Sequence, residues 1–375
     1  MIYNESKYNR EWEIKKLSQL GTFARGKSKH RPRNDKRLFE GGGYPLVQTG
    51  EIKDANLYIT HHSQEYGEFG LKQSKMWDAE TLCITIAANI AETALLSYPM
   101  CFPDSVVGFR ANKGVSSEKF MYYVFDYIKH FIQNSASGSA QDNINIEYLT
   151  TLDFKIPPKK MQDKIVETLF CIDKKILLNN KINDNLQHMA YTKYMHMFYE
   201  KKSNGKLDDI IVEQPKSPIQ VGEAKEASGI VPFFTSGEAI LKWPEALATG
   251  RNCFLNTGGN ADVKFYVGES AYSTDTWCIS AKNDMADYLF LLLDSIRIEL
   301  NLKFFQGTGL KHLQKPLLRD RPIYIPSGDE LRDFNIEVKP WLSMISDNIR
   351  ESEELISLRN WLLPMLMNGQ ASIQD

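Results

Sequence analysis

Short runs of β-branched and aromatic residues, bounded by Gly, Pro and Asn, occur along the chain in two series. The first comprises "YPLVQT", "TLCITIA", "SVVGFRA" and "DFKIP"; the second comprises "IVPFFTS", "NCFLNT", "TWCISA" and "RPIYIP". Runs of that length and composition predict strands. Between the last two strands of each series lies a longer stretch, "SEKFMYYVFDYIKHFIQ" or "MADYLFLLLDSIRIELNLKFF", whose spacing predicts a helix apolar on one face. After each terminal "IPP" or "IPS" the pattern changes again. Ile165, Leu169, Ile172, Ile176, Asn179, Asn183 and Leu186 recur at alternating steps of four and three, and so do Phe334, Val338, Trp341, Ile345, Asn348, Ser352 and Leu355. These seams predict long helices over about 159–199 and about 328–368. A heptad seam needs a partner helix, and each copy supplies one for the other. Two equivalent helices related by a pseudo-twofold axis pack antiparallel. That arrangement sets Asn179 opposite Asn348 within direct or one-water hydrogen-bonding reach, because a buried amide needs a polar answer. Pro340 has no counterpart in the first helix and predicts a kink or a delayed start.

The two series are copies. Gly138, Leu149, Ile156 and Pro157 recur as Gly307, Leu318, Ile325 and Pro326, with Ile144 opposite Leu313. "YPLVQTGEI" aligns with "VPFFTSGEA", and Asn89, Asp104 and Asn112 align with Asn260, Asp275 and Asn283, all in the same order. The early part of the first half carries extra loop residues, as a diverging duplication does. The expected architecture is α+β: two similar domains at 1–157 and 203–326, in a pseudo-twofold arrangement, separated by long helices at 158–202 and 327–375 that form an antiparallel coiled coil.

A chain of 375 residues, 42% apolar and 25% charged, is large enough for two cores and has the composition of folded protein. Its longest apolar stretch, "TLCITIAANIAETALLSY", is interrupted by Asn89 and Glu92, and the polar start lacks an apolar signal core. A cytoplasmic location without a membrane partner is the expectation. The five cysteines form no CxxC pair and read as reduced core residues, and the seven histidines show no metal-ligand spacing. Net charge is -2, yet "FARGKSKHRPRNDKR" at 23–37 carries seven Lys or Arg, one His and a single acid. Gly26 and Pro32 mark it as an exposed loop, and so dense a charge fits a phosphate backbone.

Candidate chemistry is sparse. "KIPPKK" lacks the Asn or Asp and the aromatic of an amino-methyltransferase motif. No Glu-x-Lys follows Pro103-Asp104 at nuclease spacing. "NTGGN" is followed by no GKS or GKT and reads as a tight turn. No Ser, His and Asp set stands in a motif context.

Two α+β units, each closing on a glycine, a polar stretch, a strand and "IPP" or "IPS", and each followed by a heptad helix, resemble the specificity subunit of type I restriction-modification systems. "EWEIKKLSQLGTFARGKS", "YPLVQTGEI" and "GSAQDNI" through "IPPKKMQDKI" carry the resemblance, which covers the whole chain. "GKLDDIIVEQ" and "IPSGDELRDF" depart from it locally. The resemblance implies a noncatalytic reader of double-stranded DNA. Each α+β unit would be a target recognition domain for one half of a bipartite sequence, and the helices would space the halves and dock two methyltransferase subunits. S-adenosylmethionine, Mg and ATP would belong to those partners and to motor-nuclease subunits, with no cofactor in this chain. For DNA contact the expected residues are Arg25, Lys27, Lys29, Arg31 and Arg33 with Gln141 and Asp142 in the first unit, and Lys311 and His312 in the second. A stand-alone DNA-modifying or DNA-cleaving enzyme, or a coiled-coil adaptor without nucleic acid, is the alternative.

Overall fold

The computed structural model describes residues 4–137, 144 and 146–373, the side chains of 135–137 excepted. The chain divides into two compact units, Met1–Leu177 with Glu353–Asp375, and Leu178–Ser352. The long helices span Lys159–Phe198 and Gly328–Met367, so each unit contains one half of each.

Among the described residues, unit 1 holds a five-stranded sheet in the order Gly21–Arg25, Val106–Ala111, Leu82–Thr85, Thr93–Leu96, Tyr58–Ile59. Unit 2 repeats the first four places with Ile211–Glu213, Thr276–Ala281, Arg251–Asn256 and Val263–Val267. Smaller sheets complete each unit. In both, the segment before the first of these strands pairs with the strand leading to a long helix: Glu13–Lys16 with Asp153–Ile156, and Gly205–Lys206 with Pro322–Ile323. Leu82–Thr85 is buried on both faces because it lies between two neighbours and between two apolar clusters, which explains its unbroken apolar run.

Local hydrogen bonds recur with the repeat. Lys16 N donates to Gln19 Oε1 (2.7 Å) as Lys206 N does to Asp209 Oδ2 (2.8 Å). Ile144 N donates to Ile86 O (3.1 Å) as Leu313 N does to Thr257 O (3.0 Å), which matches the sequence pairing of Ile144 with Leu313. Asn112 N donates to Leu20 O and Lys282 N to Ile210 O, both at 2.8 Å, so Asn112 corresponds to Lys282 and not to Asn283.

The helices between the last two strands are not apolar on one face only. Phe120 to Phe125 in Glu118–Ser137 are all buried, and so are Ala286 to Leu293 in Ala286–Ser295. Each helix is enclosed, with the sheet on one side and its unit's halves of the long helices on the other. In unit 1 Ile165, Leu169, Leu363 and Leu366 join Phe125 and Leu82, and in unit 2 Tyr194, Phe198, Phe334 and Val338 join Leu289 and Leu255. The second helix also ends early, at Ser295, where the Ser295 hydroxyl takes the Leu292 carbonyl (2.7 Å) and a short π-helical turn, Leu300–Phe304, follows.

Of the predicted seam, Ile165, Leu169, Ile176, Asn179, Phe334 and Val338 are buried, whereas Ile172, Leu186, Trp341, Ile345, Asn348 and Leu355 are only partly so. Asp173 replaces Ile172 as the buried residue, and Leu342 and Ser346 replace Trp341 and Ile345. A helix of 3.6 residues per turn drifts from a 3.5-residue repeat, and here each half-helix must face a domain core as well as its partner. Asp173 accepts hydrogen bonds from Tyr123 Oη (2.6 Å) and Arg359 Nη1 (3.0 Å), which offset the burial of its charge.

Asn179 and Asn348 do not bond to one another. Within unit 2, Asn179 Nδ2 donates to Glu351 Oε2 (2.8 Å) and Ser352 Oγ (3.2 Å), and Asn348 Nδ2 donates to Asn183 Oδ1 (2.8 Å). The repeat equates Asn179 with Asn348 and Asn183 with Ser352, so the two bonded pairs are copies of each other. The centre of symmetry falls between them, and the amides cross diagonally, about one helical turn apart. Pro340 neither delays nor interrupts Gly328–Met367. It is exposed, and the carbonyl whose bond it forfeits belongs to Ile336, itself 67% exposed, so water serves that group.

The second long helix starts with a capping box in which Ser327 N (2.8 Å) donates to Glu330. Tyr324 Oη (2.8 Å) and the Lys201 ammonium bond the same carboxylate, and Lys201 is the largest influence holding its pKa down at about 2, from an ordinary 4.5. As pH falls below the ordinary value, the unfolded chain takes up a proton that the folded chain refuses until about pH 2. The stability contributed by Glu330 is therefore complete above about pH 5 and is lost toward pH 2. Urea unfolding between pH 7 and pH 3 should show a shallower acid loss in Glu330→Gln than in the parent. Equal slopes would contradict this assignment.

Candidate nucleic-acid interface

The basic loop has a defined path. Gly26 opens it where a Cβ would stand 2.2 Å from the Phe102 carbonyl oxygen, and its N–H donates to Val106 O (2.8 Å). Lys29 N donates to Gln73 O (3.1 Å) and Ser74 Oγ to Lys27 O (2.9 Å), so the backbone is fastened beside both lysines. Farther on, Asp35 accepts from Arg37 N (3.0 Å), from the Arg37 guanidinium and from His30 Nε2 (2.7 Å). Arg37 first and His30 second hold the Asp35 carboxyl far below the usual carboxylate range.

With the backbone tied inward, the cations point out. Arg25, Lys27, Lys29, Arg31, Arg33, Lys36 and Arg37 are all exposed. Arg33 Nη2 lies 2.6 Å from Asp104 Oδ1 and Arg31 Nη2 lies 3.5 Å from Asp104 Oδ2, so a single carboxylate bridges both arginines. Arg25, Lys27, Lys29 and Lys36 take part in no ion pair among the described residues. This strip can neutralise several phosphates at once, and the arginine forks can also reach base edges.

Unit 2 has no such loop. After Ile211–Glu213 the chain continues Gln214, Pro215, Lys216, Ser217. Its cations at the same end of the sheet gather on Glu213, which accepts from Lys315 Nζ (3.0 Å), Arg319 and Trp277 Nε1 (2.6 Å); the Lys315 ammonium also stands 4.8 Å from the Trp277 ring centre. Lys311 and His312 lie at the return of a hairpin, Phe305–Gln306 with His312–Leu313, whose backbone is fixed by Gly259 N donating to Lys311 O (2.9 Å). His312 is exposed and Lys311 half-buried. Gln141 and Asp142 lie outside the described residues. The structure therefore brings Lys27, Lys29, Arg31 and Arg33 together on one loop, with Arg25 at the end of the strand that enters it, and Lys311 with His312 on one hairpin.

Among the described residues no three His, Cys, Asp or Glu side chains converge as metal ligands, and no helix is long and apolar enough to cross a membrane. Cys83, Cys101, Cys253 and Cys278 are buried, and Cys171 is exposed on the first long helix.

The sequence model of the type I restriction modification DNA specificity domain matches residues 9–188. The type I restriction enzyme MjaIX specificity subunit of Methanocaldococcus jannaschii is 21% identical, over 98% of this chain and 95% of its own. The chain is similar to the type I restriction-modification specificity subunits along its whole length. Another such subunit, that of the HindI enzyme of Haemophilus influenzae, is 20% identical over 53% of this chain and 42% of its own. A type I restriction-modification S subunit from M. genitalium shares the fold, with a TM-score of 0.64 and 14% identity over the full length of both chains.

The residues that the sequence did not reveal are the carboxylates that bridge exposed cations in each unit. Asp104 pairs across 71 positions with Arg33, and Glu213 across more than 100 with Lys315, separations that no local pattern reports. Lys36 and Arg37 were within the basic run and extend the exposed strip.

Proposed function

We propose that this chain reads a bipartite DNA duplex, one half-site through each unit, and holds the modification subunits of a type I complex on its helical scaffold. The observation that carries the reading is a frame that repeats while its surfaces do not. The Ile144 to Ile86 and Leu313 to Thr257 bonds recur, yet unit 1 carries a run of seven exposed cations where unit 2 carries a Lys315, Arg319 and Trp277 cluster around Glu213. Two similar frames with different side chains suit two different half-sites. The chain is noncatalytic in this reading: methyl transfer from S-adenosylmethionine, and ATP- and Mg-dependent cleavage, belong to the modification and motor-nuclease subunits.

The long helices then act as a ruler. Seven residues inserted between Lys181 and Ile182, with seven more between Arg350 and Glu351, keep the antiparallel register and add about 10 Å. Mapping methylated adenines in cells carrying the extended chain and its partner subunits should show unchanged half-sites, with the spacer longer by at most about three base pairs. Half-sites that change while the spacer stays constant would overturn the ruler reading.

A further inference from the structure

Both units neutralise part of their own positive charge in the same manner, although through residues the repeat does not equate. In unit 1 the carboxylate precedes strand Val106–Ala111 and the cations lie in the loop after strand Gly21–Arg25: Asp104 gives one oxygen to Arg33 (2.6 Å) and the other to Arg31 (3.5 Å). In unit 2 the carboxylate is on the first strand and the cations are on a late short helix: Glu213 takes Lys315 (3.0 Å) and Arg319. In each case one acid bridges two cations, and every partner is at least a third exposed. Pairs this open to solvent add little to folding stability. Glu213 also accepts from the buried Trp277 Nε1 (2.6 Å), a bond that glutamine can keep, and Arg319 also reaches Asp208 (3.4 Å); it is the bridge between two exposed cations, reached by unrelated residues in the two units, that calls for a role other than holding the fold.

A carboxylate bridging two cations occupies the place a DNA phosphate would take. Any duplex that reaches Arg31 and Arg33 must displace Asp104 from them or bring its phosphate beside that negative charge. Nonspecific DNA, which offers only phosphates, meets this opposition with nothing to offset it. A cognate half-site adds base contacts, so the opposition weighs on it proportionately less. Holding the forks between two oxygens also limits the positions from which they approach a base edge.

We propose that Asp104 in unit 1 and Glu213 in unit 2 are specificity-determining residues, acting as phosphate surrogates that suppress nonspecific DNA binding until a cognate half-site displaces them. The proposal rests on the reading of the chain as a DNA specificity subunit.

The test uses the full chain assembled with its modification subunits. A labelled random-sequence duplex and the cognate duplex are titrated from 50 to 300 mM salt. Asp104→Asn keeps the size of the side chain and an acceptor oxygen but removes its charge. It should tighten random-duplex binding about three- to tenfold at 100 mM salt, and steepen the slope of log affinity against log salt by about one phosphate's worth. Cognate affinity should rise less, so the specificity ratio falls. Glu213→Gln should act in the same direction. Glu226→Gln, the same charge change at the exposed end of helix Val221–Glu226, should leave the ratio unchanged, and adding Arg31→Ala and Arg33→Ala to Asp104→Asn should abolish the gain. Parent complex that binds duplex, with Asp104→Asn unchanged or weaker on random sequence, would overturn the phosphate-surrogate role alone. A similar gain from Glu226→Gln would reduce it to net charge. Parent complex that binds neither duplex would overturn the specificity-subunit reading itself.

Discussion

Replacing Lys27, Lys29, Arg31 and Arg33 together with alanine should weaken duplex binding about 10²- to 10³-fold at 0.15 M salt, and flatten the salt dependence by up to about four phosphate contacts. All four side chains are exposed; the substitutions remove the Arg31 guanidinium's bonds to the Ser28 and His30 carbonyls, but the bonds from backbone atoms at Lys27 and Lys29 and those to Asp35 remain, so the variant keeps its fold. Thermal unfolding should move by no more than other surface changes do, about 0.5 kcal/mol. The four positions are not equal. Lys27 and Lys29 have no anionic partner among the described residues, whereas Arg31 and Arg33 share Asp104, so the lysine pair should account for more of the lost slope. Fluorescence anisotropy with a random-sequence duplex measures this directly. An unchanged slope in the fourfold variant would remove the loop from the interface.

The largest expected effect on stability lies in unit 2. Asp287 is fully buried, and the Arg251 guanidinium grips both its oxygens, with Nε at 2.7 Å from one and Nη2 on the other. The same guanidinium donates to Ser343 Oγ (2.9 Å) and the Lys339 carbonyl (3.1 Å), so one side chain ties strand Arg251–Asn256 and helix Ala286–Ser295 to the second long helix. Burial raises the Asp287 carboxyl above its ordinary pKa even against the pull of Arg251. Arg251→Met should destabilise unit 2 by about 3–5 kcal/mol at pH 7, because it strands a buried carboxylate. The folded state then holds a proton that the unfolded chain releases as pH rises past the ordinary value, so the variant should recover stability toward acid pH. Arg251→Met with Asp287→Leu should regain most of the loss. The corresponding pair in unit 1, by strand register and helix alignment, is Glu80 with Lys119. It has the charges exchanged, is 3.6 Å apart and is more exposed, so Lys119→Met should alter stability by less than about 1 kcal/mol. Urea unfolding of the three variants separates these outcomes; a loss below about 1 kcal/mol in Arg251→Met would contradict the assignment.

The elements that could be read from the chain are those whose residues answer to their immediate neighbours. Each of the eight quoted apolar runs contains a strand, and both long helices end within a residue of the predicted limits, because "IPP" and "IPS" stop strands and place a helix start. Readings failed where a residue answers to something distant in sequence. "TGE" and "SGE" look equivalent, yet the first opens helix Thr49–Asp54 with Glu51 accepting from Gln48 N (2.7 Å), while the second forms a turn around the Thr235 hydroxyl. Ile172 is the better apolar residue for the seam, but Tyr123 and Arg359 supply the partners that let Asp173 be buried instead. The seam asparagines were recognised as a polar break in both copies, but their register depends on how the whole helix pair settles, and it settled one turn from direct contact. The basic run was legible as a charged surface, since charge density is local. Asp104, which bridges two of its arginines, was not, because it comes from a turn 71 positions from Arg33.

In the proposed function one chain directs adenine methylation to two different half-sites at a fixed separation. Mapping methylated adenines in a host that carries this chain with its modification subunits, beside the same host lacking only this chain, tests it most directly. The expected result is a single bipartite motif with two unlike half-sites and a constant spacer, absent from the control. A contiguous motif, or the same motif in both hosts, would contradict it.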